Sequence, residues 1–131
     1  MVAEGHVVGN HSVTHPDMTT KSDAEIADEI NGCSDYFKEV TGQEMPHFFR
    51  PPEGAYSIRT LEKTKELGYK TIFWSFAYKD WLVDAQPGKQ AAYDNVMKYS
   101  HNGCIMLLHA VSQSNTEALD SIIKDLKAQG Y

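Results

Sequence analysis

The sequence predicts an α/β fold built on a mostly parallel sheet. Three observations predict it. Helix-like and strand-like segments alternate along the chain, the strand-like ones are short aromatic and β-branched runs, and Gly or Pro marks most junctions. The 131 residues, 41% hydrophobic, 11% aromatic and 23% charged, are expected to form a single domain over residues 1–131. That composition excludes disorder, and no apolar run approaches the roughly 18 residues of a membrane-spanning helix. Met1 to Asn10 carry no basic flank followed by an apolar stretch, so no secretory signal is expected within the chain. A net charge of −6, from 12 basic and 18 acidic residues, argues against nucleic acid as a partner.

The elements follow in order. Gly5-His6-Val7-Val8-Gly9-Asn10 reads as a strand entering a loop. With nothing before it, this strand leaves an unpaired edge that a second copy of the chain, in a homodimer, would cover. Ser22 and Glu25 form a capping box, and Ile26, Ile30, Cys33, Phe37 and Val40 continue at helical spacing to a stop at Gly42. His47 to Arg50 reads as a short strand closed by Pro51-Pro52, which cannot continue a ladder. Ser57 caps a second helix with Ile58, Leu61 and Leu67 on its apolar side, ending at Gly68. Tyr69 to Tyr78 reads as one buried strand. A third helix covers about Gln90 to Ser100, with Tyr93, Val96 and Met97 on one side. Cys104 to Leu108 is apolar enough for a strand covered on both faces, and Thr116 to Gln129 is a helix with Leu119, Ile122, Ile123 and Leu126 turned inward. Three or four strands and four helices are too few to close a barrel. Cys33 and Cys104 lack metal-ligand spacing and read as small core residues.

Four segments carry chemistry. In His11-Ser12-Val13-Thr14-His15-Pro16, the proline keeps His15 out of helical dihedrals, so the pair sits on a loop after a strand. Two such imidazoles can converge on a metal or simply lie on the surface. Phe49-Arg50-Pro51-Pro52-Glu53-Gly54 places a guanidinium and exposed backbone N–H groups at a strand end, where N–H groups can face an oxyanion or merely line a tight turn. Asp80-Trp81 follows a strand at the end where parallel α/β folds bind ligands. His109 ends the run Ile105 to Leu108, and imidazole is the side chain best suited to proton transfer near neutrality. All of these fall at the same end of successive strands and are expected to gather on one face.

These four motifs, in this order and spacing, resemble the polysaccharide deacetylases with a NodB-homology domain, carbohydrate esterase family 4. The resemblance covers nearly the whole chain, and Trp74 to Trp81 with His109-Ala110-Val111-Ser112 is most similar to the spore-cortex enzymes. Those act on peptidoglycan N-acetylmuramic acid on the way to muramic δ-lactam. The resemblance implies a partial (β/α) barrel lacking its first strand or strands, and metal-assisted hydrolysis of N-acetyl groups on a peptidoglycan substrate. It implies that His11 and His15 are two of three protein ligands to a divalent metal, usually zinc. It implies that His109 is the general acid for the leaving amine, and that Arg50 and Asp80 orient and tune the acid and base. The Glu53 N–H would face the oxyanion, and Trp81 and Leu107 would wall the acetyl pocket. The site of action would be the cell envelope or outside the cell.

The family's Thr-Phe-Asp-Asp-type motif, which carries the base and the third ligand, has no counterpart in these residues; Glu4 is the one acidic residue before His11 and does not match it. The expectation is a domain incomplete at its N-terminus and a catalyst impaired by itself, unless a neighbouring chain completes the site. The alternative is a carbohydrate-binding pseudoenzyme in which Trp81, Tyr56 and Tyr78 stack on sugar faces without turnover.

Overall fold

The computed structural model describes all 131 residues, Met1 to Tyr131. They form two compact units, residues 1–73 and 74–131.

In the first unit, α1 (Asp23–Thr41) and α2 (Ile58–Glu66) accompany a parallel pair of strands, β1 (Phe48–Phe49) and β2 (Lys70–Thr71). The capping box starts α1: Ser22 Oγ accepts from the Glu25 N–H, and the Glu25 carboxylate accepts from the Ser22 N–H. The helix stops at Gly42, whose φ of 70° lets its N–H return to the Lys38 carbonyl. Ile26 and Ile30 pack with Met18, Phe49 and Tyr69, and Leu67 closes over them. The expected stripe does not extend to Val40, which is 65% exposed. Two-residue strands rise only about 7 Å whereas the 19 residues of α1 run about 28 Å, so its last turns pass beyond the sheet.

The expected first strand is a single parallel bridge, Asn10 to Phe49. Its bonds are the Asn10 N–H to the Phe48 carbonyl and the Arg50 N–H to the Asn10 carbonyl, 2.8 and 3.0 Å. Val2–Glu4 coil into a 3₁₀ turn that ends at Gly5 in the left-handed region, and His6 to Gly9 join no ladder. In α2, Thr60 and Thr64 turn inward while Ile58 is 77% exposed, correcting the expected apolar side. Both hydroxyls bond to carbonyls one turn back, so the buried threonines present satisfied polar groups and apolar methyls.

The expected strand over Tyr69 to Tyr78 is two strands: β2 in the first unit and β3 (Phe76–Ala77) in the second. In the second unit β3 pairs in parallel with β4 (Met106–Leu107), beside α3 (Lys89–Tyr99) and α4 (Gln113–Ala128). Phe76, Ala92, Val96, Ala118 and Ile122 form its core. Ile105 is 49% exposed and its N–H bonds to Ser75 Oγ, so the run before His109 is not covered on both faces. Ser112 caps α4, which therefore begins before Thr116, and Ala118 and Ile122 face the core while Leu119 and Ile123 are exposed. Alanines at 92 and 118 bring α3 and α4 close, and the inward line of α4 follows the residues that fit that gap. Both cysteines are free and half-buried, one in each unit.

Candidate functional site

The histidine loop hangs from the Asn10 bridge and from α1. His11 Nδ1 donates to the Arg50 carbonyl at 2.6 Å. A carbonyl only accepts, so the neutral ring carries its proton on Nδ1 and its lone pair on Nε2. That is the arrangement by which metal-ligating histidines are usually oriented. The His11 and His15 rings meet edge to face, centroids 4.9 Å apart. Asn10, fully buried, donates from Nδ2 to the Ile30 carbonyl and accepts from the Ser12 N–H. Ser12 and His15 adopt φ of 67° and 57°, an unfavourable region for residues with a Cβ. Glu29 of α1 accepts from the Val13 and Thr14 N–H groups and from the Thr14 hydroxyl, at 2.8, 2.8 and 2.6 Å. Its desolvation raises the carboxyl pKa, but the bonds from Thr14 and Val13, helped by the Lys21 charge, bring it below the ordinary value.

In the same unit Arg50 follows β1 and is half-buried. Burial lowers its pKa. Pro51 and Pro52 are buried, and Glu53 is exposed with a φ of 57° inside the 3₁₀ turn Pro52–Gly54. The Gly54 and Ala55 N–H groups bond back to the Pro51 and Pro52 carbonyls. Tyr56, 59% exposed, meets Phe73 edge to face.

The second unit holds Asp80, Trp81, Leu107 and His109. Asp80 is 1% exposed, and an ionised carboxylate in such a place needs donors on all sides. Its Oδ1 accepts from His109 Nδ1 at 2.6 Å. Its Oδ2 accepts from the His109 N–H at 2.7 Å and from Asn115 Nδ2 at 2.5 Å. Asn115 Oδ1 in turn accepts from the Tyr78 hydroxyl. Gln86 ties the following loop down, donating to the Asp80 and Leu82 carbonyls and accepting from Ser112 Oγ and the Ser114 N–H. His109 is partly exposed, and Trp81, 48% exposed, lies edge-on to it at 5.4 Å. Leu107 sits half-buried on β4, paired with Ala77. The dyad holds an imidazole by its Nδ1 and presents Nε2, an arrangement able to move a proton.

The structure thus brings His11, His15 and Arg50 together in the first unit, and Asp80, Trp81 and His109 in the second. The Tyr78 ring lies on Phe76 and its hydroxyl is held by Asn115. Burial raises its pKa, and the Asp80 charge adds to this. Sequence reasoning missed Glu29 and Asn115. The available signal was a polar residue within a buried helical stripe, Glu29 between Ile26 and Ile30, and Asn115 one turn before Ala118. No group of three or more His, Cys, Asp or Glu able to hold a metal occurs in the chain.

A family model described as polysaccharide deacetylase matches residues 1–72. The chain belongs to the polysaccharide deacetylase family. Across all 131 residues it is 53% identical to an uncharacterized 30.6 kDa protein of Geobacillus stearothermophilus, covering 49% of that protein. It is 49% identical to the peptidoglycan-N-acetylmuramic acid deacetylase PdaA of Bacillus subtilis, covering 50% of it. The structure of PdaA, a family 4 carbohydrate esterase, superposes with a TM-score of 0.95 at 48% identity, over 100% of this chain and 56% of that one. A family 4 pseudoenzyme from Bacillus anthracis superposes with a TM-score of 0.84 at 36% identity, over 95% of this chain and 42% of that one. The chain therefore spans about half the length of the curated relatives it matches. Its architecture is that of the NodB-type deacetylases over this part of their fold, and the expected α/β class and parallel pairing hold. No helix in this family member is long and apolar enough to cross a membrane.

Proposed function

We propose that residues 1–131 belong to one polysaccharide deacetylase domain, which removes N-acetyl groups from peptidoglycan, with N-acetylmuramic acid as the substrate sugar, at the cell envelope. The observation that carries this reading is the Asp80–His109 dyad, a buried, fully hydrogen-bonded carboxylate orienting a partly exposed imidazole. Simple sugar binding needs no such device. The reaction is hydrolysis of an amide to acetate and a free amine. His109, protonated on both nitrogens, gives its Nε2 proton to the departing amine nitrogen while Asp80 stays ionised and holds the ring through Nδ1. The Glu53 N–H is the donor we assign to the oxyanion, since Pro51 and Pro52 carry no N–H and the Gly54 and Ala55 N–H groups bond back within the turn. Trp81 and Leu107 would wall the acetyl methyl.

His11 and His15 fit as two ligands of a divalent metal, zinc in this reading. The support is the Nδ1 bond of His11 to a backbone carbonyl and the close approach of the two rings. Such a metal supplies Lewis-acid polarisation of the acetyl carbonyl and an activated water. Catalytic zinc sites normally have three protein ligands, and this pair provides two. Arg50, half-buried and bonded through its carbonyl to His11 Nδ1, is assigned the role of orienting the base.

A second reading, a carbohydrate-binding pseudoenzyme, is favoured by the similarity to a family 4 pseudoenzyme. Metal content and deacetylation of spore-type peptidoglycan, measured on the chain and on H11A and H109A, separate the two. Bound metal lost in H11A, with acetate release lost in H109A, supports the deacetylase. Retained glycan binding with neither metal nor acetate release supports the pseudoenzyme.

A further inference from the structure

We propose that Glu29 is a positioning residue for the metal-binding pair, holding the loop between His11 and His15 from the adjacent face of α1. The proposal rests on the metal reading above for its consequence, and on geometry alone for the clamp. Both oxygens of Glu29 are engaged: Oε2 takes the consecutive N–H groups of Val13 and Thr14, and Oε1 takes the Thr14 hydroxyl. These three donors lie between the two histidines, so the carboxylate fixes the segment that sets their separation. The loop has reason to need such a clamp, because Ser12 and His15 both sit in the left-handed region without being glycine.

Two neighbouring features place the loop against the same helix, and a third closes it on itself. Asn10 bonds the Ile30 carbonyl and receives the Ser12 N–H, anchoring the loop's start one residue along α1 from Glu29. Ser12 Oγ accepts from the His15 N–H and closes the loop on itself. Gly32 leaves room for Val13, since a Cβ there would come within 3.1 Å of Val13 Cγ2. A glycine inside a helix weakens it, and here the missing side chain admits the loop. Glu29 touches neither histidine in these bonds; it acts through the backbone between them.

The test titrates Zn²⁺ into the metal-stripped full chain for wild type, E29Q and E29A, and follows amide hydrogen exchange at Val13 and Thr14 without metal. Glutamine keeps one acceptor oxygen and the side-chain shape, so E29Q is expected between wild type and E29A. The expected result is zinc affinity lowered about ten- to a hundredfold in E29A, with faster exchange at Val13 and Thr14 and little change at the α2 amides. Wild-type affinity in E29A, or unchanged exchange at the two amides, would overturn the proposal. If the wild-type chain takes up no zinc, the metal reading itself fails, and the exchange measurement still decides whether Glu29 holds the loop. A uniform rise in exchange across residues 1–73 would assign Glu29 to general stability and sink the positioning role.

Discussion

Asn115 donates from Nδ2 to Asp80 Oδ2 at 2.5 Å, while the other oxygen of the same carboxylate accepts from His109 Nδ1. The carboxylate is therefore gripped from the α4 side as it grips the imidazole. Removing one donor from a buried charge leaves part of its desolvation uncompensated. N115A should lose about 1–3 kcal/mol of stability in urea unfolding, because it also strips the Tyr78 hydroxyl of its acceptor. A loss within experimental error would mean that water replaces the amide.

D80N keeps the shape of the side chain but cannot accept from the His109 ring and backbone as a carboxylate does. Deacetylation by whatever assembly is active should fall by about 10²–10⁴, as expected when a general acid loses its orientation. H109A should fall by at least as much. Near-normal turnover in either variant would remove the dyad from the mechanism.

The two histidines should contribute jointly to metal binding. H11A and H15A are each expected to abolish stoichiometric zinc uptake, measured by equilibrium dialysis with elemental analysis. The rings meet edge to face, and a single imidazole left behind makes a weak site. Uptake surviving in both variants would locate the metal elsewhere.

The Glu29 carboxyl titrates below its ordinary value of 4.5 in the folded chain. A depressed folded pKa contributes stability that is present above the unfolded pKa and is lost as pH falls through the folded pKa. The stability gap between wild type and E29Q should therefore be full at neutral pH and shrink below about 4.5. Unfolding curves at stepped pH values check this, and a gap that widens in acid would contradict the assigned bonds.

Core position, rather than apolar character, should set the cost of truncation in the first unit. F49A removes a ring that is 2% exposed and should cost about 3–5 kcal/mol. I58A, at a position 77% exposed, should change stability by no more than about 0.5 kcal/mol. Comparable losses for the two would reverse the observed facing of α2.

Much of the candidate site was readable as motif. His11, His15, Arg50, Asp80 and His109 were singled out by residue type and by position after strand-like runs, and the structure pairs them within each unit. Capping chemistry was readable too: Ser22 with Glu25 and Ser57 ahead of α2 act locally, so their geometry follows from neighbours in sequence. The facing of the helices was less readable. Counting apolar residues led to Ile58, Leu119 and Ile123, whereas the inward positions include Thr60, Thr64 and Asn115, whose polar groups find partners when buried.

The sequence by itself determined the alternation of helices and parallel strands, the capped ends of α1 and α2, and the family, because these depend on short-range patterns and on contiguous motifs. Tertiary structure alone decided that Tyr69 to Tyr78 divides between two sheets, that the first strand shrinks to one bridge, and that Glu29 and Asn115 hold the histidine loop and Asp80. Those outcomes depend on partners 15 to 39 residues away, and burial of a polar side chain becomes favourable only once such a partner is in place.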